Sequence, residues 1–221
     1  MTQSTAGESF RKLLVPVLDA REDLETVVQA GAFARERGAS VMLLGVVEAP
    51  PDLSRLSRAS GVGESEIIER LVEDRRAELA RLAAEAELSV EPACEVRVGK
   101  PFLEIIRAVS NEGYDLVIKT AETVSGLRAR VFASTDQHLL RKCACPVWLR
   151  MPGAKRKARS VIAAVDVDPV GAAEPETQNA LNQRILRTAI EAAVFQGAML
   201  EVLHVWDAPG EEVVSRWIRD E

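Results

Sequence analysis

The sequence has few of the features that mark a secreted, membrane-spanning or disulfide-stapled protein. Its 221 residues include only three cysteines, so a reducing compartment fits best. No apolar run approaches the ~18–20 residues needed to cross a bilayer. The first residues, M-T-Q-S-T-A-G-E-S-F, lack a charged segment followed by an apolar one. We therefore expect a soluble, cytoplasmic protein that makes no membrane contact.

Positively charged residues are also fewer than negatively charged ones. The chain carries 28 Lys and Arg against 34 Asp and Glu, for a net charge of −6. Binding to nucleic-acid phosphates needs clustered lysine and arginine, so a nucleic-acid partner is disfavoured. The basic cluster at residues 155–159 follows Pro152 and Gly153, and we interpret it as a solvated linker.

What the sequence does contain is a regular alternation of strand-like and helix-like apolar patterns. The run at residues 13–18 is nearly continuous, which is typical of a parallel strand that is buried on both faces. Further strands are predicted at residues 41–47, 94–98, 115–119 and 146–150. Helices are predicted at residues 24–37, 64–87, 101–109 and 134–141, and residues 49–63 read as a loop. Five strands alternating with four helices predict an α/β fold: an open, mostly parallel sheet with helices on both faces.

The start of the same pattern appears a second time. K-L-L-V-P-V-L-D, from Lys12, corresponds to S-V-I-A-A-V-D-V-D, from Ser160. In each copy a helix then closes on Gly-Ala and a second strand follows. The second copy has a longer polar insert at residues 168–177 and ends after strand, helix and strand, with a first helical turn expected at residues 211–218. The offset is close to a whole domain length, so we interpret it as a duplicated domain.

The repeat predicts a domain organisation with one complete and one partial copy. We expect an N-terminal tail at residues 1–10, a complete domain at 11–152, a basic linker at 153–159 and a partial second domain at 160–221. Whether Glu221 is the natural end of the protein is not decided by the sequence.

Several segments together resemble the universal stress protein family, in particular its tandem-domain branch. They are L-L-V-P-V, G-A-S-V-M-L-L-G-V-V-E, V-G-K-P-F-L-E-I-I, Y-D-L-V-I-K-T-A-E and S-T-D-Q-H-L-L-R-K-C-A-C-P-V-W-L. The resemblance implies a flavodoxin-like, adenine-nucleotide α-hydrolase-like sheet of strand order 3-2-1-4-5. It also implies pairing of domains through the fifth strand, and a site beyond the carboxyl ends of the first and fourth strands. Many members of the family bind ATP there.

The phosphate-binding loop of that family is Gly-x2-Gly-x9-Gly-[Ser/Thr]. Aligned on C-P-V, this pattern falls on Thr120, Thr123, Ala133 and Ser134, so none of its three glycines is present. A residue with a Cβ keeps the backbone away from a phosphate, and Glu122 would lie unfavourably beside a triphosphate. We therefore expect no cofactor, and ordinary ATP binding is disfavoured.

Acidic residues end the first strand of each copy. The family often has such a residue beside the nucleotide. Asp19 is one position late for that role and is also a candidate turn or N-cap residue, whereas Asp166 falls in place. The candidate ligand-binding residues are thus Asp19, Thr120, Thr123, Ala133, Ser134 and Asp166, with no catalytic residue and no metal ligand.

Three other groups of residues have a structural and a functional interpretation. Ser134-Thr135-Asp136 suggests either helix capping or an anion site at a helix N-terminus, and capping is favoured. His138 and His204 stand in no metal-ligand spacing. We interpret Cys143 and Cys145 as small packing residues under an edge strand in preference to a redox sensor.

The sequence thus favours a non-enzymatic stress-response protein that acts through association and possible binding of a small ligand other than ATP. The alternative is an adenine-nucleotide-binding switch with weak or no hydrolysis. We expect a homodimer through the fifth strand, where Pro146, Val147, Trp148 and Leu149 are the candidate interface residues, or through the partial second domain, or both. Residues 160–221 would otherwise be poorly ordered, because an open apolar edge lacks its neighbour.

Overall fold

The structure is a computed structural model that describes residues 10–122, 134–154, 157–167 and 175–205. For Ser134 and Pro175 it describes the backbone alone. The chain divides into two compact units, residues 1–156 and residues 157–221.

The first unit contains a five-stranded sheet. Its strands are β1 (Lys12–Val17), β2 (Ser40–Val47), β3 (Ala93–Val98), β4 (Leu116–Thr120) and β5 (Val147–Arg150). They lie in the order β3-β2-β1-β4-β5, and each neighbouring pair is parallel. The predicted fold class and the strand order implied by the family resemblance are therefore confirmed.

Five helices connect these strands. They are α1 (Ala20–Arg37), α2 (Leu53–Ser60), α3 (Glu64–Glu85), α4 (Pro101–Glu112) and α5 (Ser134–Lys142). Their ends follow the sequence signals: Asp19 caps the start of α1, and Gly38, at φ 61°, ends it in the left-handed region that glycine adopts most readily. Pro101 stands at the start of α4, where a missing backbone N–H is not needed.

The helix α2 was not expected, since residues 49–63 were predicted to form a loop. The prediction was wrong because Pro50-Pro51 and Gly61 were interpreted as features of a continuous loop, whereas they flank a short helix. Gly61 has a left-handed φ of 72°, and its N–H bonds to the carbonyl of Ser57. No residue of α2 is buried, and the repeat of its apolar residues Leu53, Leu56 and Ala59 covers only eight residues, fewer than the roughly 10 that distinguish a helix in sequence.

The core lies on the central strands. Residues 13–17 of β1 are all buried, as expected for a parallel strand covered on both faces. On one face of the sheet, Leu14, Leu44 and Val117 pack with Ile105 of α4 and Leu139 of α5. This packing fixes α5 against β4, and so determines where the first turn of α5 lies relative to the strand end.

The second unit is smaller. Its described residues form β6 (Ser160–Ala164), α6 (Pro175–Gln196) and β7 (Met199–Leu203), and the two strands are parallel. The helix begins at Pro175, inside the expected polar insert. Ile162 and Met199 remain 57% and 64% exposed, respectively, although both belong to the two-stranded sheet. The expected helical turn at residues 211–218 lies outside the described residues. Across the described ranges, no helix has both the length and the apolarity to cross a membrane.

Candidate functional site

The carboxyl ends of β1 and β4 lie side by side. The two strands are parallel neighbours, with Leu13 opposite Leu116, and the strand order reverses between them, since β2 follows on one side and β5 on the other. Loops leave in opposite directions from such a point and open a crevice, which is where parallel sheets bind ligands. The candidate site is therefore built from residues 18–19, residues 120–122 and the first turn of α5.

At the end of β1, Asp19 acts as a helix cap. Its Oδ1 accepts hydrogen bonds from the backbone N–H groups of Arg21, at 2.9 Å, and Glu22, at 3.3 Å. Of the two roles left open by the sequence, the structure shows this one. A contact between Asp19 and a ligand stays a prediction.

Behind Asp19, a buried polar cluster ties α1 to β4. The Thr120 and Thr26 hydroxyl oxygens lie 2.7 Å apart, and both side chains are buried. The Asp23 carboxylate accepts from the backbone N–H groups of Leu18, at 2.8 Å, and Asp19, at 3.0 Å. Thr120, a candidate ligand residue, thus points its hydroxyl into the protein toward α1.

Burial also affects the acidity of Asp23. Desolvation raises the pKa of Asp23 above its usual value, while its hydrogen bonds with Thr120 and the two backbone N–H groups act in the opposite direction. These donors pair with the Asp23 side chain, so the cluster ties the end of β1 to the end of β4.

On the opposite side of β4, Lys119 forms a second buried cluster with Glu122 and Asp136, hereafter the Lys119 cluster. The Lys119 Nζ lies 2.9 Å from Oδ1 of Asp136 and 3.0 Å from Oε1 of Glu122, and it donates to the carbonyl oxygen of Thr120 at 2.8 Å. Lys119 is 1% exposed and Asp136 is 0% exposed. The other oxygen of Asp136 accepts from the backbone N–H of Glu122 at 2.8 Å. One ammonium thus meets two carboxylates at the position where the family's phosphate loop would begin.

A second cationic side chain, that of Arg75, lies near the end of β1 and is also paired. Nη2 of Arg75, from α3, donates to the carbonyl oxygen of Leu18 at 3.0 Å, and Nη1 lies 2.6 Å from Oε2 of Glu78. The guanidinium therefore links the chain just after β1 to α3, and Glu78 is its carboxylate partner.

The remaining predicted ligand residues are Thr123, Ala133, Ser134 and Asp166. Thr123 and Ala133 lie outside the described residues, and Ser134 is the first residue of α5. Asp166 belongs to the second unit, where its backbone N–H donates to Oδ1 of Asn182 at 3.2 Å. Their roles in ligand binding stay predictions.

The candidate interface residues lie on or beside β5 and are half-buried. The Trp148 ring packs edge-on against the Phe33 ring of α1, with centroids 6.1 Å apart and planes at 84°. Trp148 thus contributes to its own domain, and a role for Pro146, Val147, Trp148 and Leu149 in an interface stays a prediction.

The sequence interpretation missed Lys119, Asp23 and Asp136 as a buried polar set. Asp136 was grouped with Ser134 and Thr135 as a cap or part of an anion site, whereas its carboxylate reaches back to Lys119 and the Glu122 amide. A signal was present: Lys119 interrupts the apolar strand L-V-I-K-T, and a lysine buried in a strand needs a counter-ion.

The histidines show no catalytic or metal-binding arrangement. The His138 ring stacks on the Phe102 ring, with centroids 4.2 Å apart, and His204 Nδ1 lies 3.1 Å from the carbonyl oxygen of Val165. Among the residues that the structure describes, no group of three or more His, Cys, Asp or Glu side chains is placed to hold a metal ion.

Removal of the Lys119 ammonium tests the energetic role of the Lys119 cluster. We expect Lys119→Met to lower the free energy of unfolding by about 3–5 kcal/mol, because it leaves the fully buried Asp136 carboxylate without its cation. The double variant Lys119→Met/Asp136→Leu should recover much of that loss, since neither charge remains buried. Urea denaturation of the two variants and Asp136→Leu alone gives the coupling energy. Additive losses would contradict a direct interaction between the two side chains.

Comparisons with known protein families and solved structures agree with the fold described above. Residues 9–149 match the model of the universal stress protein family. Universal stress protein E of Escherichia coli strain K12 is 38% identical over 94 residues, which are 42% of this chain and 28% of that protein. The matched segment thus spans less than a third of the length of this relative.

Solved structures show the same fold. A functionally unknown protein from Pseudomonas aeruginosa PAO1 superposes with a TM-score of 0.62 at 20% identity, over 96% of this chain and 67% of that one. A universal stress protein from Archaeoglobus fulgidus DSM 4304 gives a TM-score of 0.59 at 16% identity, over 96% of this chain and 73% of that one. The family model covers well over half of the sequence, and the strand order agrees with it. The chain therefore belongs to the universal stress protein family.

Proposed function

We propose that this chain is a non-enzymatic stress-response protein of the cytoplasm that acts through association, and that its first domain does not use ATP as a ligand. The observation that carries the proposal is the Lys119 cluster. It occupies the carboxyl end of β4 with a fully buried carboxylate and a partly buried one, both paired to the same ammonium.

Electrostatics at this position oppose a triphosphate. The three side chains of the Lys119 cluster sum to one negative charge, and the only ammonium among them already has two carboxylate partners. A like charge about 4 Å from a carboxylate costs about 4 kcal/mol near a protein surface. A nucleotide phosphate here would therefore have to displace a buried ion pair before it gained a cation.

The N-terminus of α5 supports the same conclusion. A helix N-terminus attracts anions through its unpaired N–H groups and its dipole. In this protein the first turn of α5 carries its own carboxylate, Asp136, and that carboxylate is fully buried. An intrinsic anion thus stands where a phosphate would be attracted.

The same charges indicate which ligands fit better. Asp19 is exposed at the end of β1, and Glu122 is half-buried at the end of β4. Two carboxylates at neighbouring strand ends favour a neutral or positively charged small molecule over an anionic one. This defines the class of small ligand that the first domain would accept.

The alternative function is an adenine-nucleotide-binding switch. It would use Ser134, Asp19 and the backbone of residues 120–133. The feature in its favour is that the crevice between β1 and β4 is the usual ligand position of such sheets. It requires the Lys119 cluster to open.

Titration with ATP separates the two functions. We expect isothermal titration of the full chain with ATP and Mg²⁺ to show no micromolar binding, and the purified protein to carry no adenine nucleotide after denaturation. Micromolar binding that is lost in Ser134→Ala, and retained in the exposed control Ser110→Ala of α4, would contradict the proposal and support the nucleotide switch.

Association is the second part of the proposal. Alternate residues of β5 face β4: the carbonyls of Pro146 and Arg150 accept from the N–H groups of Val117, at 3.1 Å, and Ala121, at 2.8 Å. The backbone groups of Val147 and Leu149 therefore point to the outer side, where no described strand pairs. We propose that a second copy of the chain pairs with this edge, the apolar face of the β6–β7 sheet being the other candidate contact.

Light scattering tests this association. We expect the mass of a dimer for the full chain and of a monomer for Leu149→Pro, because proline removes an outward N–H without breaking the bonds to β4. Leu149→Ala, which removes the side chain and keeps the N–H, should remain dimeric. A dimer that persists in Leu149→Pro assigns the contact to the second unit, and a monomeric parent protein contradicts association.

A further inference from the structure

Two of the three cysteines lie close together in space. The Sγ atoms of Cys143 and Cys145 are 3.7 Å apart, and neither thiol is in a disulfide. Cys143 directly follows α5, and its N–H donates to the carbonyl of Leu139 at 2.9 Å. Cys145 is followed by Pro146, which directly precedes β5. Each thiol is thus fixed by a different element of the fold.

The backbone between them favours this approach. Residues two apart in an extended strand have Cα atoms roughly 7 Å apart, which is at the limit for a disulfide. Here the chain bends at Ala144 and Cys145, between the last turn of α5 and β5. A bend shortens the distance between the two Cα atoms, so a rotation of the side chains can bring the sulfurs into bonding distance.

The two thiols differ in reactivity. The hydrogen bond from Cys145, helped by the backbone N–H groups of Cys145 and Ala144, lowers the pKa of Cys143 to about 7, although burial opposes it. The hydrogen bond with Cys143 raises the pKa of Cys145, and burial and Asp115 act in the same direction. At neutral pH Cys143 therefore has a substantial thiolate fraction, while Cys145 is a protonated neighbour.

Both cysteines also pack against the core cluster that includes Leu139 and Val117, which agrees with the packing role expected from the sequence. Packing alone does not require two sulfurs in mutual contact. Cys94 of β3 provides an internal comparison: it is more exposed than the other two cysteines, partial desolvation of its thiol raises its pKa, and it forms no disulfide. The 3.7 Å contact is the observation that distinguishes the pair.

We propose that Cys143 and Cys145 form a reversible dithiol–disulfide pair that is oxidised by hydroperoxides, at the junction between α5 and β5. The Cys143 thiolate attacks a peroxide oxygen, the O–O bond breaks, and the leaving hydroxide takes a proton to become water. The resulting sulfenic acid is attacked by the sulfur of Cys145. An S–S bond forms as the S–O bond breaks, and the Cys145 proton and the hydroxyl leave as a second water.

The sum of these steps converts two thiols and one hydrogen peroxide into one disulfide and two waters. The sulfurs are oxidised and the peroxide is reduced. A thiol reductant of the glutathione class returns the pair to the dithiol through a mixed disulfide. The reaction needs no other group from the protein, so it is independent of the ligand proposed above.

Peroxide titration of the full chain in a Cys94→Ser background tests the proposal. We expect loss of both thiols, a mass lower by two hydrogen atoms, no intermolecular crosslink, and full recovery with dithiothreitol. Cys145→Ser should stop at a sulfenic acid that reacts with dimedone. Cys143→Ser should react about tenfold more slowly at neutral pH, because burial and Asp115 still raise the pKa of the remaining Cys145 thiol, which is therefore largely protonated there.

Circular dichroism of each variant shows that it is folded before the comparison is made. Addition of oxygen atoms to the parent protein without disulfide formation would overturn the proposal. So would equal rates for Cys143→Ser and Cys145→Ser, since the two sulfurs would then have no separate roles.

Discussion

The burial of one lysine in the sheet is the constraint on which the strand ends depend. Lys119 belongs to β4, where every residue is buried, and an ammonium cannot remain charged there without oxygen partners. Its three oxygens come from Thr120, Glu122 and Asp136. These partners fix the path of the chain just after β4 and the first turn of α5.

Described polar side chains on both sides of the β1 and β4 ends are paired with other groups of the protein. On the α1 side, Asp23 accepts the backbone N–H groups that follow β1, and Thr26 pairs with Thr120. On the α5 side, the Lys119 cluster places one ammonium and two carboxylates at the end of β4. The scaffold is that of the universal stress protein family, but its strand ends are satisfied without a phosphate. For this reason the proposed function is association together with a neutral or cationic ligand.

The strands of the sheet could be predicted because each of them follows from the pattern of a few consecutive residues. An apolar run such as residues 13–18 reports burial on both faces, and glycines such as Gly38 report helix ends. The helix α2 was missed because it is short and exposed, so its apolar repeat covers only eight residues between the proline and glycine signals. The Lys119 cluster was missed because its contacts join residues as far apart in sequence as Lys119 and Asp136, and a contact of that kind depends on how α5 packs on β4.

The cysteine pair shows the same limit at a shorter range. The motif C-A-C is visible in the sequence, but the sequence alone does not distinguish a strand from a bend at this point. The structure has a bend at residues 144 and 145, and the two sulfurs lie 3.7 Å apart.

The central account can be tested most directly by native-state hydrogen exchange at the Glu122 amide, which donates to the buried Asp136. We predict slow exchange that a large excess of ATP does not change. Fast exchange, or a change in its rate on addition of ATP, would contradict a closed Lys119 cluster.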